Sequence, residues 1–301
     1  MREILRPMAK FTCTMESPIY YSLASTCHAH GWKHLQPFKW IEETATLGFA
    51  LQENDKAADI QIEQRGTQLL IAIESRARIS ARAEKLLLAK VRRVLDVDRD
   101  LSEFYAIAAS IGGEYAALVK SGAGRLLHGA SLWEDAAKTL FTTNCSWSLT
   151  VKMAEAACSE TLALRAPSGA FAFPSPDRIS IKTSSELREV LPIGYRAAFF
   201  HSLATEFNTD AALGGVESNP SRTFAAKKVG DLMGFGPYAT NHVLVMAGFF
   251  EEIPVDSIVT AFVASVSKAR DPHAFVFRRY RPWGRYAWWG YKFDQMLRRK
   301  S

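Results

Sequence analysis

Cysteine is scarce in this sequence, and long apolar runs are missing. The four cysteines, Cys13, Cys27, Cys145 and Cys158, are scattered, with no pair at the close spacing of a structural zinc site or a cluster-binding loop. They read as free thiols. Cys27 shares a short stretch with His28, His30 and His34, but a single thiol with no second Cys/His group nearby does not make a zinc pattern. No apolar stretch approaches the roughly 18 residues needed to cross a bilayer, so no membrane span is expected. The start, MREILRPMAK, has basic residues but no apolar run behind them, so secretion is not expected either. Internal repeats, low-complexity tracts and Gly/Ser/Pro-rich linkers are also lacking, which predicts that the parts of the chain pack closely together.

What is present is a chain of 301 residues with a net charge of +6, and the placement of that charge is informative. From Lys268 onward there are ten Lys or Arg against Asp271 and Asp294, a local balance of +8, so the rest of the chain carries 6 − 8 = −2. The basic tail is interleaved with Tyr280, Trp283, Tyr286, Trp288, Trp289 and Tyr291. That composition suits a surface that meets polyanions and flat rings. It suits equally a terminal helix whose aromatics pack inward.

Residues 11–75 read as strands. Asp59-Ile60-Gln61-Ile62-Glu63 alternates polar and apolar, Arg65-Gly66-Thr67 supplies a turn, and Leu69 to Ile73 is a second β-rich run, which together predict a hairpin of an antiparallel sheet. From Ala81 to Leu95 the apolar period changes to that of a helix, and beyond it the pattern is helical throughout. Ser131 with Glu134 predicts a capping box, and Ser175-Pro176 a helix start with proline at its first position. The expectation is an α+β fold: an N-terminal antiparallel sheet domain with a closing helix over residues 1–98, packed on a mostly helical region over 99–301.

The segment Phe224 to Phe262 carries the most information. It reads as a helix, a tight turn Leu232-Met233-Gly234-Phe235-Gly236-Pro237, a second helix from Tyr238 to about Ala247, and then Pro254-Val255-Asp256. Two glycines one residue apart permit positive φ and close approach of the backbone to a partner. Successive N–H groups at the start of the second helix would form a concavity for a phosphate. A glycine-rich αα-hairpin without any ligand is the alternative.

Leu232 to Tyr238 together with Pro254-Val255-Asp256 resembles the helix-hairpin-helix and Gly-Pro/Val-Asp signature of the DNA glycosylase superfamily, closest to its 3-methyladenine glycosylase II and 8-oxoguanine glycosylase branch. The 18 positions from Tyr238 to Asp256 are about the spacing that superfamily uses. Leu126 to Cys158, with Phe141 to Trp147 inside it, is similar to the helix pair that carries its DNA-inserting wedge. Pro174-Ser175-Pro176, Gly194-Tyr195-Arg196-Ala197 and Gln36-Pro37-Phe38-Lys39-Trp40 are similar to three further family stretches, so the resemblance covers most of the chain.

The resemblance implies an enzyme of base-excision repair that extrudes a damaged base from duplex DNA and hydrolyses its glycosidic bond, with Asp256 as the catalytic carboxylate. It implies backbone contacts to DNA from Gly234, Phe235, Gly236 and Tyr238, and a wedge at Thr143 and Asn144. Tyr238, His242, Trp283, Tyr286, Trp288 and Trp289 are the expected base pocket, whose aromatic faces suit cationic alkylated purines; an oxidised-purine or mismatch enzyme, and a protein that binds damaged DNA without cutting it, stay open. Tyr238 stands where lyase members carry a lysine, so hydrolysis without strand cleavage is implied. No cysteine follows Cys158, so no iron-sulfur cluster is expected; a monovalent cation at the hairpin carbonyls is implied by the resemblance alone. The expected setting is the nucleoid of a bacterium or the nucleus of a eukaryote, with the protein acting as a monomer.

Overall fold

A computed structural model describes residues 9–76, 78–219 and 221–298. Arg299 and Lys300 of the basic tail, and the first eight residues, lie outside the described residues. The architecture is α+β, with an N-terminal antiparallel sheet and a helical remainder. The strands are β1 (Ala9–Glu16), β2 (Lys39–Ile41), β3 (Thr46–Glu53), β4 (Lys56–Arg65) and β5 (Gln68–Ser75), in the order β1-β5-β4-β3-β2. The expected hairpin is β4–β5. Its two-residue turn uses Gly66 at φ +60°, a value that only glycine adopts at no cost. Strand alternation sends Ile60, Ile62, Leu69, Ile71 and Ile73 to one face, where Leu87, Val91 and Val94 of a covering helix meet them.

Helices α1 (Leu23–His28), α2 (Ala81–Val94), α3 (Ser102–Ile111), α4 (Gly113–Lys120), α5 (Leu132–Thr142) and α6 (Trp147–Ala157) come first. They are followed by α7 (Pro176–Ser180), α8 (Ser184–Val190), α9 (Arg196–Thr209), α10 (Ala211–Gly214) and α11 (Arg222–Gly230). The last four are α12 (Pro237–Met246), α13 (Ser257–Val266), α14 (Pro272–Tyr280) and α15 (Ala287–Arg298). Among the described residues no helix is long and apolar enough to cross a membrane.

Helix α5 is buried from Leu132 through Phe141 and joins the parts. Its Lys138 is wholly buried, paired with Glu134 at 2.5 Å and set 4.3 Å from the centre of the Phe38 ring. Such a charge is tolerated in the interior only because it is both paired and faced by π electrons. The expected capping box forms by half. Ser131 Oγ accepts from Glu134 N, but the Glu134 carboxylate turns to Ala130 N and Lys138 instead of back to Ser131. At α7 proline does stand at the first position, while the Ser175 hydroxyl makes no cap and accepts from Gln52 Nε2.

Candidate active site

Helices α11 and α12 are joined by the turn that contains Gly234 and Gly236. The two glycines do different work, against the expectation that both turn with positive φ. Gly234 has φ +87°, and a Cβ there would lie 2.6 Å from Phe199 Cδ2 on α9, so the turn is seated on that ring. Gly236 is extended, with φ −81° and ψ −176°, and caps α12 without any side chain. A Cβ at Gly236 would meet nothing within 4 Å, so the chain is open at the start of α12. Pro237 has no N–H, and no side chain caps this helix start, which is the kind of place where an anion can bind. The Phe235 side chain is buried, so only its backbone is available to a partner.

Asp256 is the N-cap of α13, and its Oδ1 accepts from Val259 N at 2.8 Å. Its backbone is extended, at φ −119° and ψ −169°, and the carboxylate is fixed by its own helix. Among the described residues Oδ2 has no hydrogen-bond partner, and Asp256 lines a cleft of about 1130 Å³. Tyr238 and His242, one turn apart on α12, line the same cleft, with ring centres 5.9 Å apart. Burial holds the Tyr238 phenol above its usual range. His242 Nδ1 lies 2.9 Å from the Thr139 hydroxyl, and burial pulls the ring down to about 4, leaving it neutral at physiological pH.

Thr143 and Asn144 line the same cleft. Asn144 is exposed in the left-handed region, at φ +47°, just past the end of α5. Arg196 holds this turn from behind. Its guanidinium donates to the Thr143 carbonyl and to Thr143 Oγ1, and it lies over the half-exposed ring of Tyr195. Among the cleft residues not foreseen in the sequence are Trp32, tilted against His242, and His30, edge-on to Trp32. The helical hairpin could not reveal them, because they come from a turn between α1 and β2 some two hundred positions earlier.

Three expected pocket residues are elsewhere. Trp283, Tyr286 and Trp289 are buried around Phe104 and do not line the cleft; their ring centres lie 6.1, 5.3 and 5.9 Å from that phenylalanine. Trp288 alone of the tail's pocket candidates reaches the cleft. For the aromatics the inward-packing reading of the tail therefore prevails, because a terminal helix must bury one stripe to stay docked. Part of the tail's charge is likewise used internally, Arg279 on Asp294 and Arg285 on Glu103. Cys27, His28, His30 and His34 do not converge. His28 bonds Glu42, His30 bonds the Leu127 carbonyl, burial pushes the Cys27 thiol up to about 12, and no metal-binding cluster occurs among the described residues.

No family model matches the chain, and no curated protein matches it in sequence. Solved structures do match. A 3-methyladenine DNA glycosylase from Archaeoglobus fulgidus superposes with a TM-score of 0.73 at 14% identity, over 93% of this chain and 96% of that one. An 8-oxoguanine glycosylase/lyase from Clostridium acetobutylicum, solved with double-stranded DNA containing cytosine opposite 8-oxoguanine, gives 0.69 at 15% identity, covering 98% and 99%. MBOgg1, in complex with a low-affinity DNA ligand, gives 0.71 at 13%, covering 94% and 93%. At these identities the likeness is one of fold, and it extends over nearly the whole of each chain.

Proposed function

We propose, from the fold shared with these DNA glycosylases, that the chain is a monofunctional DNA glycosylase of base-excision repair, acting as a monomer on duplex DNA that contains a damaged purine. The observation that carries the reading is the Asp256 carboxylate, fixed by one oxygen at the start of α13 with the other unpartnered among the described residues, in a cleft that the glycine hairpin and an exposed Asn144 also line. A stacked base shields its glycosidic bond, so the nucleotide must first leave the helix at a cost of a few kcal/mol. The hairpin N–H groups grip the backbone, and Asn144 fills the vacated stack.

As the bond between C1′ and the base nitrogen lengthens, positive charge builds on the sugar. A fixed carboxylate stabilises that charge without reorganising, as in glycoside hydrolysis. Tyr238, a phenol held protonated by burial, offers no amine to attack the sugar, so water completes the reaction. The expected preference for cationic alkylated purines relied on a cage of aromatics. With Trp283, Tyr286 and Trp289 in the core, half of that cage is absent from the cleft.

The test is release of free base from methylated genomic DNA and from duplexes carrying 8-oxoguanine, hypoxanthine or uracil, by the wild type and Asp256→Asn. Release that vanishes in the variant and leaves abasic sites without nicks supports the reading. Equal binding of damaged duplex by both proteins with no base released overturns it in favour of a binding protein.

A further inference from the structure

Along α15, the residues Trp288, Tyr291, Lys292, Gln295 and Met296 line the cleft, while Trp289 and Phe293 on the other face are wholly buried. The spacing i, i+3, i+4, i+7, i+8 is one stripe of a helix, and it turns one cation of the basic tail, Lys292, toward the site. The Lys292 ammonium lies 5.6 Å from the centre of the Trp288 ring.

The cleft holds charges of both signs, and they enter it from different helices, the Asp256 carboxylate from the start of α13 and the Lys292 ammonium from α15. Burial lowers both His30 and His242, and Lys292 adds to the effect on each. Tyr238, raised by burial, is raised further by Asp256. His242 responds to both charges.

We propose that Lys292 sets the class of base: it donates a hydrogen bond to the exocyclic carbonyl oxygen of a neutral oxopurine and excludes purines that are already cationic. The proposal rests on the glycosylase reading above. Two like charges about 6 Å apart, at an effective dielectric near 20, disfavour each other by on the order of 100-fold in binding. The Trp288 face that could hold a cationic ring is already attended by one cation. A neutral base, by contrast, leaves with the electron pair of its glycosidic bond. That negative charge spreads to the carbonyl oxygen, where an ammonium donor stabilises it. Water oxygen bonds to C1′, and the water proton ends on the departed purine, giving an abasic sugar and a neutral free base.

The experiment is single-turnover base release from duplexes containing hypoxanthine, 8-oxoguanine or 7-methylguanine, by the wild type, Lys292→Met and Lys292→Arg, with melting temperatures and duplex affinities measured alongside. The expected result is release of an oxopurine by the wild type at least ~10-fold faster than 7-methylguanine. Lys292→Met loses at least ~10-fold on the oxopurine and none on 7-methylguanine, while Lys292→Arg, which keeps charge and donors, retains the preference. A wild type that prefers 7-methylguanine overturns the proposal. So does a Met variant slowed equally on every base with weakened duplex affinity, which would make Lys292 a backbone contact. Both results leave the glycosylase reading standing; no release of any base by the wild type removes both.

Discussion

Gly234 and Phe199 are in contact where no side chain could be inserted: a Cβ on the glycine would lie 2.6 Å from the ring. The residue also has φ +87°, so Gly234→Ala incurs backbone strain and a clash together. The expected cost is about 2–4 kcal/mol, read as a fall in the chemical-denaturation midpoint at unchanged slope. Phe199→Leu in the Gly234→Ala background should restore part of the loss, because it removes the ring that the new methyl meets. Gly236→Ala, at an extended position with open space, should leave stability within about 0.5 kcal/mol while weakening DNA binding.

The two roles of Asp256 are separable by choice of substitution. Asparagine caps a helix about as well as aspartate, so Asp256→Asn should melt like the wild type yet lose at least ~100-fold in base release. Asp256→Ala should lose the same activity and, in addition, about 1 kcal/mol of stability, since Val259 N would have no acceptor. If the Asn variant retained activity, the carboxylate would be a cap and nothing more.

Asn144 offers a comparable separation at the rim. Its φ of +47° is one that glycine adopts at least as readily, so Asn144→Gly should fold with unchanged stability while lacking the plug. Base release from duplex DNA should fall about 10-fold, by loss of about 1.4 kcal/mol of support for the extruded state. Release from single-stranded DNA, where no stack is vacated, should be unaffected. Equal losses on both substrates would place Asn144 outside the extrusion step.

The sheet, its β4–β5 hairpin and the helical hairpin were legible in the sequence because each is fixed by local signals: alternation over Asp59 to Glu63, Gly66 at the turn, and glycine and proline between α11 and α12. The candidate site was half legible. Tyr238, His242, Asp256 and Asn144 lie within or beside turns whose residues announce them, and the structure brings all four to one cleft. The tail was not legible, because Trp288 and Trp289 are chemically alike and only the rotation of α15 decides that one faces the cleft and the other Phe104. The place of His30 and Trp32 in the cleft was not legible, because their packing toward His242 is long-range and leaves no trace in spacing.

Behind the site, His128 is buried between two carboxylates, 3.7 Å from Asp96 and 3.8 Å from Asp135. Burial opposes charge on the ring, but the coulombic pull of the two carboxylates, which lie just beyond hydrogen-bond reach of the ring nitrogens, outweighs it and holds His128 above the usual imidazole range. A group with a raised folded value binds its proton more tightly in the native state. Its stabilisation is therefore complete below the unfolded value of about 6.5 and is lost as pH rises through the folded value. Urea midpoints of the wild type should fall from pH 6 toward pH 9, and that part of the slope should be missing in His128→Gln, which is less stable than the wild type at pH 6. Asp135, held low despite its burial chiefly by Arg93 and also by His128, acts with the opposite sign. Its contribution is present above its ordinary carboxylate value and is lost as pH falls, so the stability maximum should lie on the acid side of neutrality. A wild-type midpoint that rose steadily from pH 6 to pH 9 would mean that His128 is neutral in the folded protein.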